Sequence, residues 1–433
     1  MTFTTLDDLV HRLQALGARR ILAKPLAEND NTKQQVYLGG SFASLNQLPY
    51  TQLQTSADGT AQTIKATLQL SWIDAQGQVE SAPHAKLILY PRYPEVRLSG
   101  FLRGCSIAPA ALMQPVPRHL RRHNNGNDGR VLFLGVADSG TVYAYLAPSG
   151  SSVAGDFLRA HAAGRLQPSG VFWAIGTADR ATLLVALRNI HVAGWHQSIR
   201  LNNAGIVMPY RARNGGGYTL EALLGIRPNG RSEPDFMGWE VKAYGRSRIT
   251  LMTPEPDAGF YGVNGVEAFV RKYGRDVGND VLYFTGQHRV GSRCRSTSQT
   301  LLLRGFDPAT SRITDVNGGI ELTDSTGSVS AGWSFAGLLQ HWGRKHAFAA
   351  YVPYTCRSGP PPAYWYRSPV LLGEGTEFPL FLRAMSDGRI CYDPAPKVER
   401  ASTTRPKVKA RSQFRIGVPA LAHLYNSFSA VSL

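Results

Sequence analysis

Residues 221–242, reading EALLGIRPNGRSEPDFMGWEVK, constrain the fold and chemistry of this chain more than any other segment. Glu240-Val241-Lys242 alternates polar and apolar residues, which is typical of a β-strand that enters a core. Because residues two apart share a face of a strand, Glu240 and Lys242 are predicted to point to one side and Val241 to the other. Asp235 precedes this strand by a short turn, so it can reach the same side.

Two carboxylates beside an amine suit metal-dependent cleavage of a phosphodiester. Carboxylate oxygens are hard ligands that suit Mg²⁺, which keeps several waters and also binds substrate phosphate. The amine of Lys242 can then orient or deprotonate the attacking water. The alternative is a solvated strand that carries Glu and Lys two apart by chance and has no catalytic role.

A third carboxylate, Glu221, lies upstream in the segment 215–226. Thr219 is predicted to cap a short helix there, and the apolar residues Leu220, Leu223 and Leu224 would face the core. Glu221 would then reach the site from a helix.

The spacing of the four polar residues resembles the catalytic signature of the MvaI/BcnI family of restriction endonucleases. Thirteen residues separate Glu221 from Asp235, four separate Asp235 from Glu240, and one separates Glu240 from Lys242. Two further segments typical of the family, G-Y-T-L-E and N-G, are also present. The family is a branch of the PD-(D/E)xK nucleases and is related to the mismatch-repair nicking enzyme MutH.

This resemblance implies a type II restriction endonuclease that hydrolyses duplex DNA. Asp235 and Glu240 would bind Mg²⁺, Lys242 would position the water, and Glu221 would support the metal or its water shell. The resemblance also implies a short G·C-rich site, with CCWGG as the best guess, and a monomer that cuts one strand at a time. Its setting would be a bacterial or archaeal cytoplasm, with a cognate methyltransferase protecting the host genome.

Composition favours a polyanionic partner. Lys and Arg total 47 against 30 acidic residues, a net charge of +17, with basic clusters at 118–123 and around 291–295. A basic surface with no role in binding is the alternative. No apolar run approaches the length of about 18 residues that a membrane span needs, so no membrane partner is predicted.

The chain is predicted to divide near residue 200. Short alternating runs separated by turn residues predict a mostly-β domain over 1–190, followed by a linker over 191–205. Residues 206–433 are predicted to form the nuclease, a PD-(D/E)xK α/β core with a mixed sheet. Helices are predicted over 178–194 and 334–347.

Two segments of the first half, 21–38 and 87–101, resemble the DNA-gripping arms of the EcoRII effector domain, a B3-like pseudobarrel. Two departures are Gln34, where the family pattern has histidine, and Pro94, which interrupts the second arm. The alternative is a β domain whose polar loop residues only cap turns. The resemblance implies DNA contacts by Lys24, Asn29, Asp30, Lys33, Gln34 and Gln35 on the first arm, and by Arg92, Tyr93, Glu95 and Arg97 on the second.

The C-terminal segment 389–425 resembles the recognition segment that closes the MvaI/BcnI fold: an acidic residue on a strand, a basic cluster ending F-R-I, and a final helix. Asp393 would be the acidic residue, and Lys409, Arg411 and Arg415 would contact bases. Arginine pairs with guanine through two hydrogen bonds, which fits a G·C-rich target. The alternative is that these cations contact phosphate only.

An EcoRII-like effector domain joined to an MvaI-like catalytic domain implies a type IIE enzyme, in which a second copy of the DNA site activates cleavage. Three other functions stay open: a modification-dependent DNA endonuclease, a MutH-like repair nickase, and a DNA-binding protein with a decayed centre.

Overall fold

The computed structural model describes residues 3–40, 42–56, 62–122, 126–175, 180–212, 214–227, 236–342 and 348–433. The chain forms two compact units, residues 1–180 and 181–433. This boundary differs from the predicted linker over 191–205. The helix Arg180–Val192 packs Leu183 and Leu187 into the core of the second unit, so the chain leaves the first unit before this helix and not after it.

The first unit is mostly β, as the sequence predicts. Its larger sheet has seven strands, in the spatial order Gln167–Ser169, Phe172–Ile175, Ala18–Ala27, Asn127–Ala137, Val142–Ala147, Leu70–Ile73 and Val79–Ala82. Its second sheet has five strands, in the order Gln35–Tyr37, Glu95–Ser99, Lys86–Tyr90, Thr63–Thr67 and Thr51–Ser56. The helical segments are Leu6–Ala15 and Ser152–Ala162, with 3-10 helices at Phe42–Asn46 and Arg118–Leu120.

One core of the first unit lies between the α-helices Leu6–Ala15 and Ser152–Ala162 and the seven-stranded sheet. Leu9 and Leu13 of the first helix and Phe157 of the second pack against Phe133 of the sheet, and all four are fully buried. The first helix begins with a capping box, in which the side chains of Thr5 and Asp8 satisfy backbone amides that the helix leaves unpaired.

A mixed sheet, also predicted, forms the centre of the second unit. Its path runs through strands His196–Gln197, Ala363–Tyr366, Phe348–Arg357, Val370–Glu374 and Ser427–Val431. The strand Glu240–Tyr244 pairs with Phe348–Arg357 in parallel, whereas the other pairings in this sheet are antiparallel.

The second unit also contains smaller sheets. Three strands form a sheet, here termed the recognition sheet because it contains the predicted recognition residue Arg415, in the order Arg248–Met252, Phe414–Gly417 and Ile390–Tyr392. A four-stranded sheet contains Arg275–Asp276, Val281–Tyr283, Lys397–Glu399 and Lys407–Lys409, and a three-stranded one contains Thr300–Arg304, Gly319–Thr323 and Val329–Ser334. Two short hairpins pair Ile199–Leu201 with Val207–Pro209 and Phe306–Asp307 with Arg312–Ile313.

The helices of the second unit are Arg180–Val192, Gly215–Leu223, Gly259–Tyr273, Phe335–Trp342 and Phe378–Ser386, with a 3-10 helix at Val418–Leu424. Two expectations are corrected. Thr219 does not cap its helix: it lies inside it, fully buried, and its hydroxyl bonds the backbone of Ile199. The predicted closing helix is only the short 3-10 helix Val418–Leu424. The chain then forms the strand Ser427–Val431, which pairs at the edge of the central sheet.

Among the described residues, none of the helices has the length and apolar content needed to span a membrane.

Candidate active site

A tight turn leads into the strand that carries the predicted catalytic residues. Phe236 and Trp239 exchange backbone hydrogen bonds of 2.9 and 2.8 Å around Met237 and Gly238. Both central residues have positive φ, 47° and 79°, which is the geometry of a type I′ hairpin turn. The chain therefore enters the strand Glu240–Tyr244 directly from a reversal. Asp235, the predicted metal ligand just before this turn, lies outside the described residues.

Glu240 and Lys242 share one face of the strand, as their spacing predicts. The amine of Lys242 lies 3.0 Å from Oε1 of Glu240, and the two side chains are only 18% and 5% exposed. Val241 points the other way into an apolar cluster with Ala350 and Leu372. The strand is thus anchored by its apolar side, and a shielded ion pair is held on the opposite side.

Glycines allow the helix Gly215–Leu223 to reach this strand. A Cβ added at Gly216 would lie 2.6 Å from the ring of Tyr354, and one added at Gly215 would lie 2.5 Å from Oγ of Ser198. The buried hydroxyl of Tyr366 also donates a hydrogen bond of 2.6 Å to the carbonyl of Gly216. Close packing at its first turn therefore fixes the helix that carries Glu221.

A cleft of about 600 Å³ contains three of the four predicted catalytic residues. Glu221 reaches it from the helix, and Glu240 and Lys242 reach it from the strand. The described residues that line the cleft also include four arginines, so the wall carries more positive than negative charge: Arg227, Arg246, Arg248 and Arg415. Such a wall favours an anion as ligand.

Sequence reasoning missed three of these arginines. Arg246 and Arg248 belong to the basic segment GRSR directly after the catalytic strand, which is the signal that could have indicated them. Arg227 follows the helix that carries Glu221, in an otherwise ordinary loop sequence. Only the folded chain brings all three to one cleft.

Two buried tyrosines lie beside the catalytic strand, near Glu240 and on the face of the sheet that carries it. Tyr351 is the register partner of Lys242 on the neighbouring strand, and its hydroxyl lies 2.7 Å from that of Tyr425. Burial raises the pKa of Tyr351 to about 12 and also raises the pKa of Tyr425 well above its ordinary value. Both hydroxyls therefore stay protonated at neutral pH.

The donor chemistry of the cleft fits a hard divalent cation. Glu221 and Glu240 supply carboxylate oxygens to one cavity, and these are the oxygen ligands that such cations bind. In the part of the chain that the structure describes, no group of three His, Cys, Asp or Glu residues is arranged to hold a metal. The predicted ligand Asp235 lies outside that part.

Asp393 ties together two arginines of the recognition sheet. Nη1 of Arg415 donates a hydrogen bond of 2.9 Å to Oδ2 of Asp393, and Nη1 of Arg248 lies 3.8 Å from the same oxygen. Arg415 and Arg248 come from adjacent strands and both line the cleft. The structure therefore brings two predicted recognition residues, Asp393 and Arg415, to the predicted catalytic ones.

The other two predicted recognition residues, Lys409 and Arg411, lie between Asp393 and Arg415 in the sequence. Lys409 ends a short strand, and its amine lies 3.0 Å from Oε1 of Glu399, which also pairs with Lys397. Hydrogen bonds from these two lysines lower the pKa of Glu399 to about 2, so it remains charged. Arg411 is exposed, and its carbonyl accepts a hydrogen bond from the amide of Ala395.

In the first unit, the strands Gln35–Tyr37 and Glu95–Ser99 pair and bring the two predicted arms together. Nη1 of Arg97 donates to Oε1 of Gln35 at 3.1 Å, and its Nη2 donates to Oε1 of Glu95 at 2.6 Å. Three predicted contact residues therefore form one network that joins the arms.

The remaining arm residues divide by exposure. Lys24 and Asp30 form a buried ion pair of 2.7 Å, and Asp30 also accepts from the amides of Ala27 and Tyr37. In this conformation the two charges hold the first arm in shape and are not accessible to a base edge. The exposed residues are Asn29, Lys33 and Gln34 on the first arm and Arg92 and Tyr93 on the second.

Comparison with known proteins gives this site a context. The sequence profile of the MvaI/BcnI restriction endonuclease family matches residues 184–425, which is more than half of the chain. The solved complex of restriction endonuclease MvaI with cognate DNA substrate is 21% identical, with a TM-score of 0.45, over 58% of this chain and 97% of that one. MvaI in the absence of DNA is 16% identical, with a TM-score of 0.32, over 59% and 100%.

No curated protein is similar enough to this chain to count as a relative. The family profile spans the helix that carries Glu221, the strand with Glu240 and Lys242, and the recognition sheet. The chain belongs to the MvaI/BcnI restriction endonuclease family and is a type II site-specific deoxyribonuclease.

Proposed function

We propose that the cleft of the second unit hydrolyses a phosphodiester of duplex DNA with Mg²⁺ as cofactor. The observation that carries this proposal is the shielded pair of Glu240 and Lys242, which shares one cleft with Glu221 and several arginines. Burial of two opposite charges costs a desolvation free energy that their attraction can fail to offset, so a shielded pair that lines a cleft is a candidate for chemistry.

Each residue has a distinct role in this proposal. Asp235 and Glu240 hold the Mg²⁺, and Glu221 binds its water shell or a second ion. When bound, the metal would supply positive charge that stabilises the scissile phosphate. Lys242 would orient the attacking water towards phosphorus. The cleft arginines hold the phosphate and neutralise its charge.

Recognition is assigned to the sheet beside the cleft. Arg415 reads a guanine, and Asp393 fixes its guanidinium at 2.9 Å. Lys409 and Arg411 contact neighbouring bases or phosphates. The target that the family resemblance implies is CCWGG or a closely related sequence. One such centre cuts one strand, so a monomer rebinds a near-palindromic site in the opposite orientation to break the second strand.

The first unit is proposed to be a B3-like effector domain that binds a second copy of the site, as in type IIE enzymes. The network of Gln35, Glu95 and Arg97 supports this role because it joins the two arms whose exposed residues would contact DNA. A cognate methyltransferase in the same system and a cytoplasmic location stay predictions.

Digestion of unmethylated phage-sized DNA with Mg²⁺, followed by sequencing of the ends, tests the catalytic proposal. Glu240→Gln and Asp235→Ala should each lower the cleavage rate by about 10²-fold or more, since each removes negative charge from the reacting centre. Glu267→Gln serves as the matched control because Glu267 pairs with Arg271 on an exposed helix surface. The control should cut like the wild type.

Ends at a CCWGG-like site from wild type would establish both the reaction and the target. Cleavage of methylated DNA alone would instead support a modification-dependent endonuclease, and nicks without breaks would support a MutH-like nickase. Full activity of Glu240→Gln would remove the proposed centre.

A further inference from the structure

Residues 287–296, here termed the arginine loop, form a basic segment that the catalytic proposal does not use. The sequence QHRVGSRCRS contains no acidic residue. Arg289, Arg293 and Arg295 are exposed, whereas His288 and Cys294 between them are buried. The loop therefore presents its charges outward from an anchored interior.

Hydrogen bonds fix the shape of the arginine loop. Nε2 of His288 lies 2.8 Å from the hydroxyl of Thr297, and the amide of Cys294 donates to the carbonyl of Gln299 at 2.8 Å. The amide of Gly291 donates to the carbonyl of Leu301 at 2.9 Å. A loop held in this way presents its arginines with a small loss of conformational entropy on binding.

The arginine loop begins beside the recognition segment. His288 and Tyr392 exchange backbone hydrogen bonds of 2.8 and 2.9 Å. From the other side of the same segment, the amide of Asp393 donates to Gln413 at 2.8 Å, and that of Ala395 donates to Arg411 at 2.9 Å. Residues 392–396 thus lie between the loop and the strand region that contains the proposed base readers.

The three arginines carry charge that nearby acids do not neutralise. Within the described ranges, no carboxylate lies within 4 Å of the guanidinium of Arg289, Arg293 or Arg295. Nε of Arg289 donates to the carbonyl of Gly388, and that of Arg293 donates to the carbonyl of Ser298, both at 3.2 Å. These bonds orient the stems without cancelling the charge.

We infer that the arginine loop binds phosphates of the duplex that flank the bases read by the recognition sheet. This inference rests on the proposed function, because it requires DNA to lie along that sheet. Three unneutralised cations on a fixed loop suit phosphate contacts, which position the duplex without reading its sequence. The arginine loop thus extends the DNA-binding surface beyond the recognition sheet.

Binding of a labelled duplex measured against salt concentration tests this inference. Wild type is compared with R289Q/R293Q/R295Q and R289K/R293K/R295K, in EDTA, on a CCWGG duplex and a scrambled one. Each lost phosphate contact makes the negative slope of log K against log salt shallower by about 0.9. The slope of the glutamine variant should therefore be shallower than that of wild type by up to about 2.7. The lysine variant should keep most of the slope, since a point charge suffices for phosphate.

Arg188→Gln serves as a control because Arg188 is exposed on the helix that packs against the Val241 side of the central sheet, away from Glu240. It should leave the slope unchanged. The ratio of cognate to scrambled affinity should stay constant in every variant. An unchanged slope in the glutamine variant would overturn the inference, and so would loss of that ratio in both triple variants, which would indicate base readout.

Two further measurements keep the outcomes distinct. The single variant Arg295→Gln tests the loop if the triple variant has a lowered melting temperature. The side chain of Arg295 makes no hydrogen bond to the described residues, so its loss should not destabilise the fold. A wild-type protein that binds DNA but never cuts it would refute the proposed function and leave the loop inference to be judged on the slopes. Cleavage with unchanged slopes would refute the loop inference alone.

Discussion

At the scale of single residues, Asp393 links the proposed recognition residue Arg415 to the candidate active site. Its Oδ2 accepts from Arg415 and lies near Arg248, and both arginines line the cleft that holds Glu240. A carboxylate shared in this way fixes two long side chains that would otherwise sample many rotamers. Asp393 is therefore expected to set specificity by holding the arginines.

Asp393→Asn should weaken binding to the cognate duplex by about 10- to 150-fold, since hydrogen bonds to charged groups contribute about 1.5–3 kcal/mol. Binding to scrambled DNA should change much less, because phosphate contacts remain. Competition binding on both duplexes measures the two effects. Asp387→Asn is the control, since the side chain of Asp387 pairs with Arg389 at the surface. Equal affinities for wild type and Asp393→Asn on the cognate duplex would contradict this role.

At the scale of elements, two local arrangements shape the candidate active site and the proposed DNA-binding surface beside it. One is the docking of the helix Gly215–Leu223, which depends on the absence of side chains at its first turn. The other is the arginine loop, which depends on a buried histidine. Each arrangement gives a prediction.

Gly216→Ala should destabilise the protein by about 1–3 kcal/mol, because the new methyl group would overlap the Tyr354 ring. Cleavage should slow as well, since the helix also carries Glu221. Gly217→Ala is a matched control: an added Cβ there meets no atom within 4 Å, and alanine favours a helix by about 0.8–1.0 kcal/mol over glycine. Chemical denaturation and cleavage assays check both variants. Equal stability of the two variants would show that the close packing is unimportant.

His288 should make stability depend on pH. Burial lowers its pKa to about 4 from an ordinary value of 6.5. Between these two pH values the unfolded chain therefore binds a proton that the folded chain does not. The stabilisation is complete above pH 6.5 and is lost as the pH falls towards 4, by roughly 1.4 kcal/mol per pH unit. Denaturation between pH 4 and 7 should show this slope reduced in His288→Gln and unchanged in the exposed His119→Gln. Parallel pH profiles for wild type and His288→Gln would refute it.

At the scale of the whole molecule, the two units have different proposed functions, cleavage in the second and activation by a second DNA site in the first. The second unit holds the cleft and the recognition sheet, and the first holds two joined arms. If the first unit is an effector domain, its exposed arm residues should affect activation by a second site and leave the cutting centre intact.

An uncleavable CCWGG duplex added in trans should accelerate cleavage of a one-site substrate by wild type. K33A/R92A should lose this stimulation and keep the basal rate, because both residues are exposed on the arms and outside the cleft. Arg19→Ala is the control: Arg19 lies outside both arms and forms an exposed pair with Asp138, about 26 Å along its strand from Ala27. Stimulation that survives in K33A/R92A would refute the effector role of the arms.

Local patterns in the sequence determined much of this protein. The alternation at 240–242 predicted a strand with Glu240 and Lys242 on one face, and their spacing from Glu221 indicated the family. The short strands of the first half and the mixed sheet of the second were also predictable. These features depend on the period of a helix or strand, which neighbouring residues set by themselves.

Tertiary structure decided which distant residues surround the site. It brought Arg227, Arg246 and Arg248 to the cleft, buried Lys24 against Asp30, and placed the arginine loop beside Tyr392. These outcomes depend on the pairing of segments far apart in the chain and on close packing such as that of Gly216 against Tyr354. Periodicity gives the direction of a side chain along its own element, but only the packing of elements decides what that side chain contacts.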